Sequence, residues 1–258
     1  AGGRYQLVAS PVIVENVLSG SVLLAIDVTE KENAEQMRRE FTANVSHELK
    51  TPLQTIAGSA ELLANGMVKE EDQMSFYIRI QGEARRMVSL VEDIIGRSHL
   101  DEGAEDLKRE EVDLYAVAGE TLTALSAAAE KNGITMTLKG EKAVLDGVPR
   151  LLQSIVYNLC DNAVKYNHAG GCVTVTVKDR SDSVFLSVAD TGIGILPEHQ
   201  ERIFERFYRV DKSRSKELGG TGLGLSIVKH AARLHGADIR LQSVVDGGTT
   251  IEVSFPKK

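Results

Sequence analysis

The stretch FTANVSHELKTPLQTI, residues 41–56, gathers a histidine, a glutamate, a lysine, a threonine and a proline into one amphipathic segment. An imidazole can serve as nucleophile or proton carrier near neutral pH, whereas the default for a solitary histidine is a polar residue on the wet face of a helix. Thr51 falls one helical turn beyond His47 on the same face. Far downstream, LLQSIVYNLCDNAVKYN places Asn158, Asp161, Asn162 and Lys165 at helical steps of three, four and seven. Amide oxygens suit a hard cation such as Mg²⁺ and a lysine suits a phosphate, although an ordinary solvated helix face has the same composition.

Two glycine-rich turns follow. In DTGIGI, Asp190 ends an alternating strand and could accept from an exocyclic amine, while Gly192 and Gly194 let backbone approach a planar ligand. In GGTGLGLSIVKHAARLHG, glycines 219, 220, 222 and 224 precede a helix beginning near Leu223, which aims free N–H groups and a positive helix end at an anion. The GK[ST] ending of a P-loop and the strand-first setting of a dinucleotide fold are both missing. Between the turns, IFERFYRVDKSRSKELGG supplies Arg209 and Lys212 as candidate phosphate-facing cations, and residues 211–220 have the polar, glycine-ended composition of a lid. A solvated loop is the alternative.

These groups need elements to hold them. Residues 4–28 read as two short strands with a turn around Asn16 and Gly20; they are too short to fold alone and must pair with each other or with something else. A helix starts at Thr29, read as an N-cap with Glu32 completing a capping box, and runs to Asn65-Gly66. Phe41, Val45, Leu49, Leu53, Ile56, Ala60 and Leu63 form its apolar stripe, and Pro52 should bend it. A second helix over 70–99 carries Met74, Tyr77, Gln81, Ala84, Val88, Val91 and Ile95, widened by Ile80, Met87 and Ile94. The periodicity predicts an antiparallel hairpin that pairs with a second copy into a four-helix bundle, hence a homodimer. After the polar DEGAEDLKREE linker, helices at 113–131, 149–166 and 222–235 mix with strands at 134–138, 172–178, 183–189, 238–244 and 249–255, an α/β sandwich with a largely antiparallel sheet.

Composition bounds the function. The 258 residues suffice for two domains, and a net charge of −7 disfavours a nucleic-acid surface. The longest apolar runs, such as SVLLAI, are too short to span a bilayer. Cys160 and Cys172 have no zinc-site spacing and read as two buried, reduced thiols of a cytoplasmic protein. The start AGG without methionine reads as an excised fragment.

In this order and spacing, with SHELKTP about 110 residues before the asparagine helix, the clusters resemble the sensor histidine kinases of two-component signalling. SHELKTP looks like the H box, NLCDNAVKY the N box, DTGIG and GTGLGL the glycine boxes, and FERFYR the F box. The resemblance implies an α+β chain. Residues 1–28 would be the last strands of a PAS-like sensor domain, 29–40 a signalling helix, 41–104 a dimerisation and histidine phosphotransfer domain, and 108–258 an ATP-binding domain of the fold shared with gyrase and Hsp90-type ATPases. It further implies that His47 attacks the γ-phosphate of ATP through Nε2 and that Glu48 accepts the Nδ1 proton. Asn158 and Asn162 would hold Mg²⁺, Lys165 and Arg209 would stabilise the transferred group, Asp190 would bind the adenine amine and Tyr166 would lie over the nucleotide. Gly220, Thr221, Gly222, Leu223 and Gly224 would cradle the phosphates, with Gly192, Gly194, Ile195, Phe204, Leu225 and Thr249 completing the site. Thr51 would orient water for dephosphorylating a partner response regulator, whose aspartate otherwise receives the phosphoryl group. Any membrane attachment would lie in preceding segments of a bacterial plasma-membrane sensor. An ATP-hydrolysing clamp explains the C-terminal half equally well but not SHELKTP; a nucleotide-binding scaffold would be expected to have lost His47, Asn162 or the glycines.

Overall fold

A computed structural model describes residues 3–14, 17–101, 108–210 and 221–257. The expected turn residue Asn16, the linker residues 102–107 and the loop 211–220 with Lys212, Gly219 and Gly220 lie outside the described residues, as do the side chains of Phe41, Ile94 and Ile95. The chain divides into two compact units, Ala1–Met87 and Val88–Lys258.

In the first unit, β1 (Tyr5–Val14) and β2 (Val17–Asp27) pair antiparallel with each other. Gly20 is not in the turn: it lies within β2 opposite Val12, where the register shifts. A glycine inside a strand marks such an irregularity as readily as a turn. Helix α1 (Thr29–Ala64) is continuous through Pro52. Its N-cap is Val28, not Thr29, and no capping box forms. The Thr29 hydroxyl is taken by the backbone of Arg4, accepting its N–H at 2.7 Å, and the Thr29 N–H donates to Asp27 at 2.9 Å. After a short 3₁₀ turn at Glu70–Asp72, α2 runs over Gln73–Asp101.

The expected apolar stripe of α2 is its exposed face in the single chain: Met74, Tyr77, Gln81, Ala84, Val88 and Val91 are all open to solvent. Phe76, Ile80, Glu83, Met87 and Leu90 make the covered face. Leu53 on α1 is likewise 55% exposed and Ala60 is exposed, whereas Val45, Leu49, Ile56 and Leu63 are half-buried.

The second unit is an α/β sandwich, as the alternating signals predict. Helices α3 (Leu114–Lys131), α4 (Pro149–Lys165) and α6 (Gly224–Leu234) form one layer with α4 in the middle, and the four-residue α5 (Pro197–Gln200) precedes α6 in the chain. The other layer contains β4 (Thr135–Gly140), β6 (Cys172–Asp179), β7 (Ser183–Asp190), β9 (Gly248–Pro256) and β8 (Asp238–Val244), in that spatial order. Only β4 and β6 pair parallel in this sheet. Alternation along the strands sends Val173, Val175, Val177, Leu186, Val253 and Phe255 inward, where they meet Leu152, Ile155 and Val156 of α4, all essentially fully buried. Each such side chain contributes about 1.5–3 kcal/mol by leaving water.

Two four-residue strands were not foreseen: β3 (Glu110–Asp113) pairs with β5 (Val144–Gly147). Asp113 caps α3 by accepting from Tyr115 N–H at 3.1 Å, and the same oxygen lies 3.3 Å from the Ala143 N–H. Cys160 is buried, and burial pushes its thiol up to about 12. Cys172 is exposed, contrary to expectation, because it opens β6 on the outward side of the alternation that turns Val173 in.

Candidate active site

Helix α4 is amphipathic enough to do two jobs: its apolar face enters the core while Asn158, Asp161, Asn162 and Lys165 border a cavity of about 580 Å³. Pro149 opens the helix at a position where its missing N–H costs nothing. Of the residues expected to bind nucleotide, Tyr166, Asp190, Gly194, Ile195, Arg209, Thr221, Gly222, Gly224, Leu225 and Thr249 line the same cavity. Gly192, Phe204 and Leu223 do not. Leu223 is fully buried beneath the wall, Phe204 is half-buried, and Gly192 acts one step back through its backbone. Gly220 lies outside the described residues.

Asp190, at the end of β7, accepts from Gly192 N–H at 2.9 Å and Thr249 N–H at 3.1 Å, both through Oδ1. Burial raises its carboxyl above the usual range, and those two backbone donors pull in the opposite direction without cancelling the effect. Gly194 adopts a left-handed backbone (φ 66°), and a Cβ there would run into the Val244 carbonyl. A side chain would therefore have to push the β8 end away from the cavity.

The side of the cavity next to α6 is built around Asn158. Its Nδ2 donates to the Ser154 carbonyl at 2.8 Å, which directs Oδ1 toward the start of α6. A Cβ on Gly224 would come within 2.7 Å of that oxygen, so the missing side chain leaves the amide oxygen room. Lys165 does not stand alone: its Nζ is 2.6 Å from Asp161 Oδ2, one turn back on the same helix. Phe207 takes a left-handed backbone (φ 59°), rare for a bulky residue, and its N–H donates to Gly222 O at 2.9 Å. That bond fastens the segment before Arg209 to the second glycine turn.

Several lining residues were not singled out in the sequence. Tyr208 borders the cavity, its hydroxyl 2.7 Å from His199 Nδ1 and its ring under the Arg202 guanidinium at 4.3 Å. Asp246 also borders it, in a left-handed turn (φ 57°) that donates its N–H to Ile193 O. Tyr208 stood in a recognised motif beside Arg209, a usable signal; Asp246 carried none beyond its neighbouring glycines. Among the described residues no cluster of three or more His, Cys, Asp or Glu has metal-site geometry.

On the helical hairpin His47 is exposed, as expected. Glu48 and Thr51 are less open than expected. The Glu48 carboxylate reaches Arg86 of α2 at 3.2 Å, in a pair whose side chains are 29% and 12% exposed, and Glu83 lies 3.8 Å from the same guanidinium. Thr51 is half-buried and donates its hydroxyl to the His47 carbonyl at 3.2 Å, using one turn of backbone. Pro52 lacks the N–H that would have bonded the Glu48 carbonyl. The next residue after the histidine thus sits at a locally altered turn. No described helix is long and apolar enough to cross a membrane.

Comparison with known proteins finds a family match for each of two segments of the chain. Residues 37–103 match the family described as His Kinase A (phospho-acceptor) domain, and residues 147–258 match the Histidine kinase-, DNA gyrase B-, and HSP90-like ATPase. The sensor histidine kinase WalK of Bacillus subtilis is 36% identical over 93% of the chain and 40% of its own length. The sensor-like histidine kinase SenX3 of Mycolicibacterium smegmatis is 37% identical over 92% of the chain and 62% of its own length. The chain therefore spans about two fifths to three fifths of these curated relatives. Among solved structures, full-length ShkA in complex with AMPPNP is 28% identical, with a TM-score of 0.61 over 85% of this chain and 46% of its own. The chain thus carries a segment similar to a phospho-acceptor domain followed by a segment similar to a kinase-type ATPase domain, and it is similar to sensor histidine kinases across more than nine tenths of its length.

Proposed function

We infer that the chain is the kinase portion of a sensor histidine kinase: it phosphorylates His47 from ATP and passes the phosphoryl group to an aspartate of a response regulator. The observation that carries this reading is the pairing of an exposed histidine on a helical hairpin with a cavity whose two ends differ in chemistry. One end offers a half-buried carboxylate beside Thr249, suited to an adenine amine; the other offers Asn158, Asn162, Lys165, Arg209 and the start of α6, suited to phosphates. The likeness to a kinase solved with AMPPNP supports the choice of nucleotide.

Asn158 and Asn162 fit a divalent cation, since the Ser154 bond turns the Asn158 oxygen toward the phosphate end and hard cations take amide oxygens. When bound, Mg²⁺ would offset the negative charge of the phosphates. The His47 Nε2 lone pair forms the P–N bond while the bond from the γ-phosphorus to the bridging oxygen breaks and ADP leaves. Glu48 takes the Nδ1 proton, and Arg86 holds its carboxylate in place meanwhile. Lys165 and Arg209 would balance charge on the transferred group, with Lys165 shared from Asp161. Thr51, whose hydrogen is occupied by the His47 carbonyl, retains lone pairs that could orient a water for regulator dephosphorylation.

The β1–β2 hairpin reads as the last strands of a PAS-like domain feeding α1. The exposed apolar face of α2 reads as a surface for a second copy. Membrane attachment would belong to other segments of the parent protein.

Incubation with γ-labelled ATP and Mg²⁺ is expected to give acid-labile, base-stable label that vanishes in His47→Gln and in Asn162→Ala. Label surviving in His47→Gln would remove that residue from its role. ATP hydrolysis without any label would instead favour a clamp-type ATPase. Thr51→Ala should keep the label but lose regulator dephosphorylation; retention of both ends the phosphatase reading.

A further inference from the structure

The segment that delivers Arg209 to the cavity is held at two points. At residue 207 the left-handed backbone (φ 59°) is fastened by the Phe207 N–H to the Gly222 carbonyl at 2.9 Å. Such a conformation persists in a bulky residue only where its surroundings hold it. At residue 208 the phenol oxygen lies 2.7 Å from His199 Nδ1, and the Arg202 guanidinium covers the ring at 4.3 Å. His199 belongs to α5, and Arg202, just beyond that helix, donates its N–H back to the His199 carbonyl at 2.9 Å. One short stretch thus grips Tyr208 by its hydroxyl and by its face.

Tyr208 borders the cavity, whereas His199 does not, so any effect of His199 on a bound nucleotide passes through the phenol. With its hydrogen on Nε2, toward the Glu198 carboxylate 3.5 Å away, the imidazole leaves Nδ1 to accept from that phenol. The bond fixes the ring, the ring fixes the backbone at 208, and that backbone sets the direction from which the Arg209 side chain starts. A guanidinium meets phosphate oxygens through a planar fork and is sensitive to tilt in a way that a point charge is not. Where the contact strengthens as charge develops on the transferred group, misalignment slows the reaction more than it weakens binding.

We propose that His199 is a positioning residue for phosphoryl transfer, which acts through Tyr208 to fix the direction of Arg209 at the phosphate end of the cavity. The proposal rests on the reading of Arg209 as a cation that balances charge on the transferred group. It separates His199 from a merely structural histidine, because a loosened α5 would disturb the cavity wall and weaken nucleotide binding along with the rate.

The test measures, on the whole chain, the initial rate of His47 labelling at saturating ATP together with the calorimetric affinity for ATP. His199→Ala and Tyr208→Phe should each slow labelling about five- to tenfold while the Kd for ATP stays within about twofold. The double variant should be no slower than the slower single one, since both remove the same contact. His199→Asn, whose Oδ1 falls near the position of Nδ1 and accepts the same hydrogen, should recover most of the rate. In an Arg209→Lys background, His199→Ala should cost less than about twofold, because an ammonium on a flexible stem has no plane to misalign. Unchanged labelling in both single variants, losses that multiply in the double variant, or a loss of rate matched by an equal loss of affinity overturns the proposal. Full-rate labelling in Arg209→Ala overturns the reading of Arg209 beneath it, and no label on the unaltered chain overturns the kinase reading itself. Should His199→Ala not fold, Tyr208→Phe, which deletes a single oxygen, decides by the same comparison.

Discussion

Burial opposes a negative charge on Asp190, and two backbone donors among the described residues offset part of that cost. The sign matters. A carboxyl whose folded value lies above its unfolded one favours the folded state when protonated, below about pH 3.9, and loses that contribution as pH rises through the raised value. On the proposed reading, a charge held there at neutral pH serves recognition at some expense to stability. Asp190→Asn is expected to weaken ATP binding by about tenfold or more, because an amide N–H would face the adenine amine, while the melting temperature at pH 7.5 stays level or rises. Calorimetry and a melting curve on one sample check both halves. Sequence reasoning could identify Asp190 from the strand that ends there, and the Lys165–Asp161 pair from helical spacing. It could not reach the Glu48–Arg86 pair, 38 residues apart, or the Thr249 N–H on Asp190, because nothing local encodes which distant segment a side chain will meet.

The elements were legible wherever a period ran long enough. Helices α3, α4 and α6 and the five strands of the main sheet declare themselves by apolar spacing, and their ends moved by only a residue or two. The strands β3 and β5 escaped because four residues with one or two inward apolar positions, Val112 in one and Leu145 in the other, leave no periodic signal. Thr29 misled because a hydroxyl before a helix is a capping signal only if the backbone of Arg4 does not claim it first. A comparable long-range join holds the helical layer: His235, the cap residue of α6, accepts the Val148 N–H through Nε2 at 3.0 Å and presents Nδ1 to the Ala231 carbonyl at 2.7 Å. Those partners require the neutral ring with its hydrogen on Nδ1. Burial first, and the nearby Arg109 to a lesser degree, lower its readiness to take a proton, against the opposing Ala231 bond and Asp146 charge. The unfolded chain then binds that proton more readily, so stability is full above about pH 6.5 and is lost as pH falls through the lowered value. The melting temperature of the ATPase domain should drop over that acidic window by about 2–4 °C per kcal/mol lost, and His235→Gln should flatten this part of the profile. A profile equally steep in the variant would assign the loss to other groups.

At the scale of the whole molecule, the face that periodicity marked as apolar is the one the single chain leaves open. Tyr77 and Val88 are 55% and 58% exposed on α2, and Met74 is more so. Isolated apolar residues on a surface need no explanation, but a stripe at helical spacing does. Tyr77→Lys is therefore expected to shift the mass found by light scattering from a dimer to a monomer, with ATP affinity unaltered. An unchanged dimer would place the contact elsewhere.

The order in which the main sheet pairs has one more consequence, for the chain as it leaves the ribosome. Strands β6 and β7 can close as a hairpin across four residues, and β8 and β9 across three, whereas β7 meets β9 only by joining positions about sixty residues apart, as Ala189 does with Thr250. Long-range pairings of that kind form late, since loop closure must precede their reward. Asp190 lies at that late seam, and its Thr249 partner arrives with β9. A nascent chain still lacking β9 thus leaves the Asp190 carboxylate without one of its two backbone donors and β7 without a neighbour on that side, so the wall of the cavity waits on β9 for its completion.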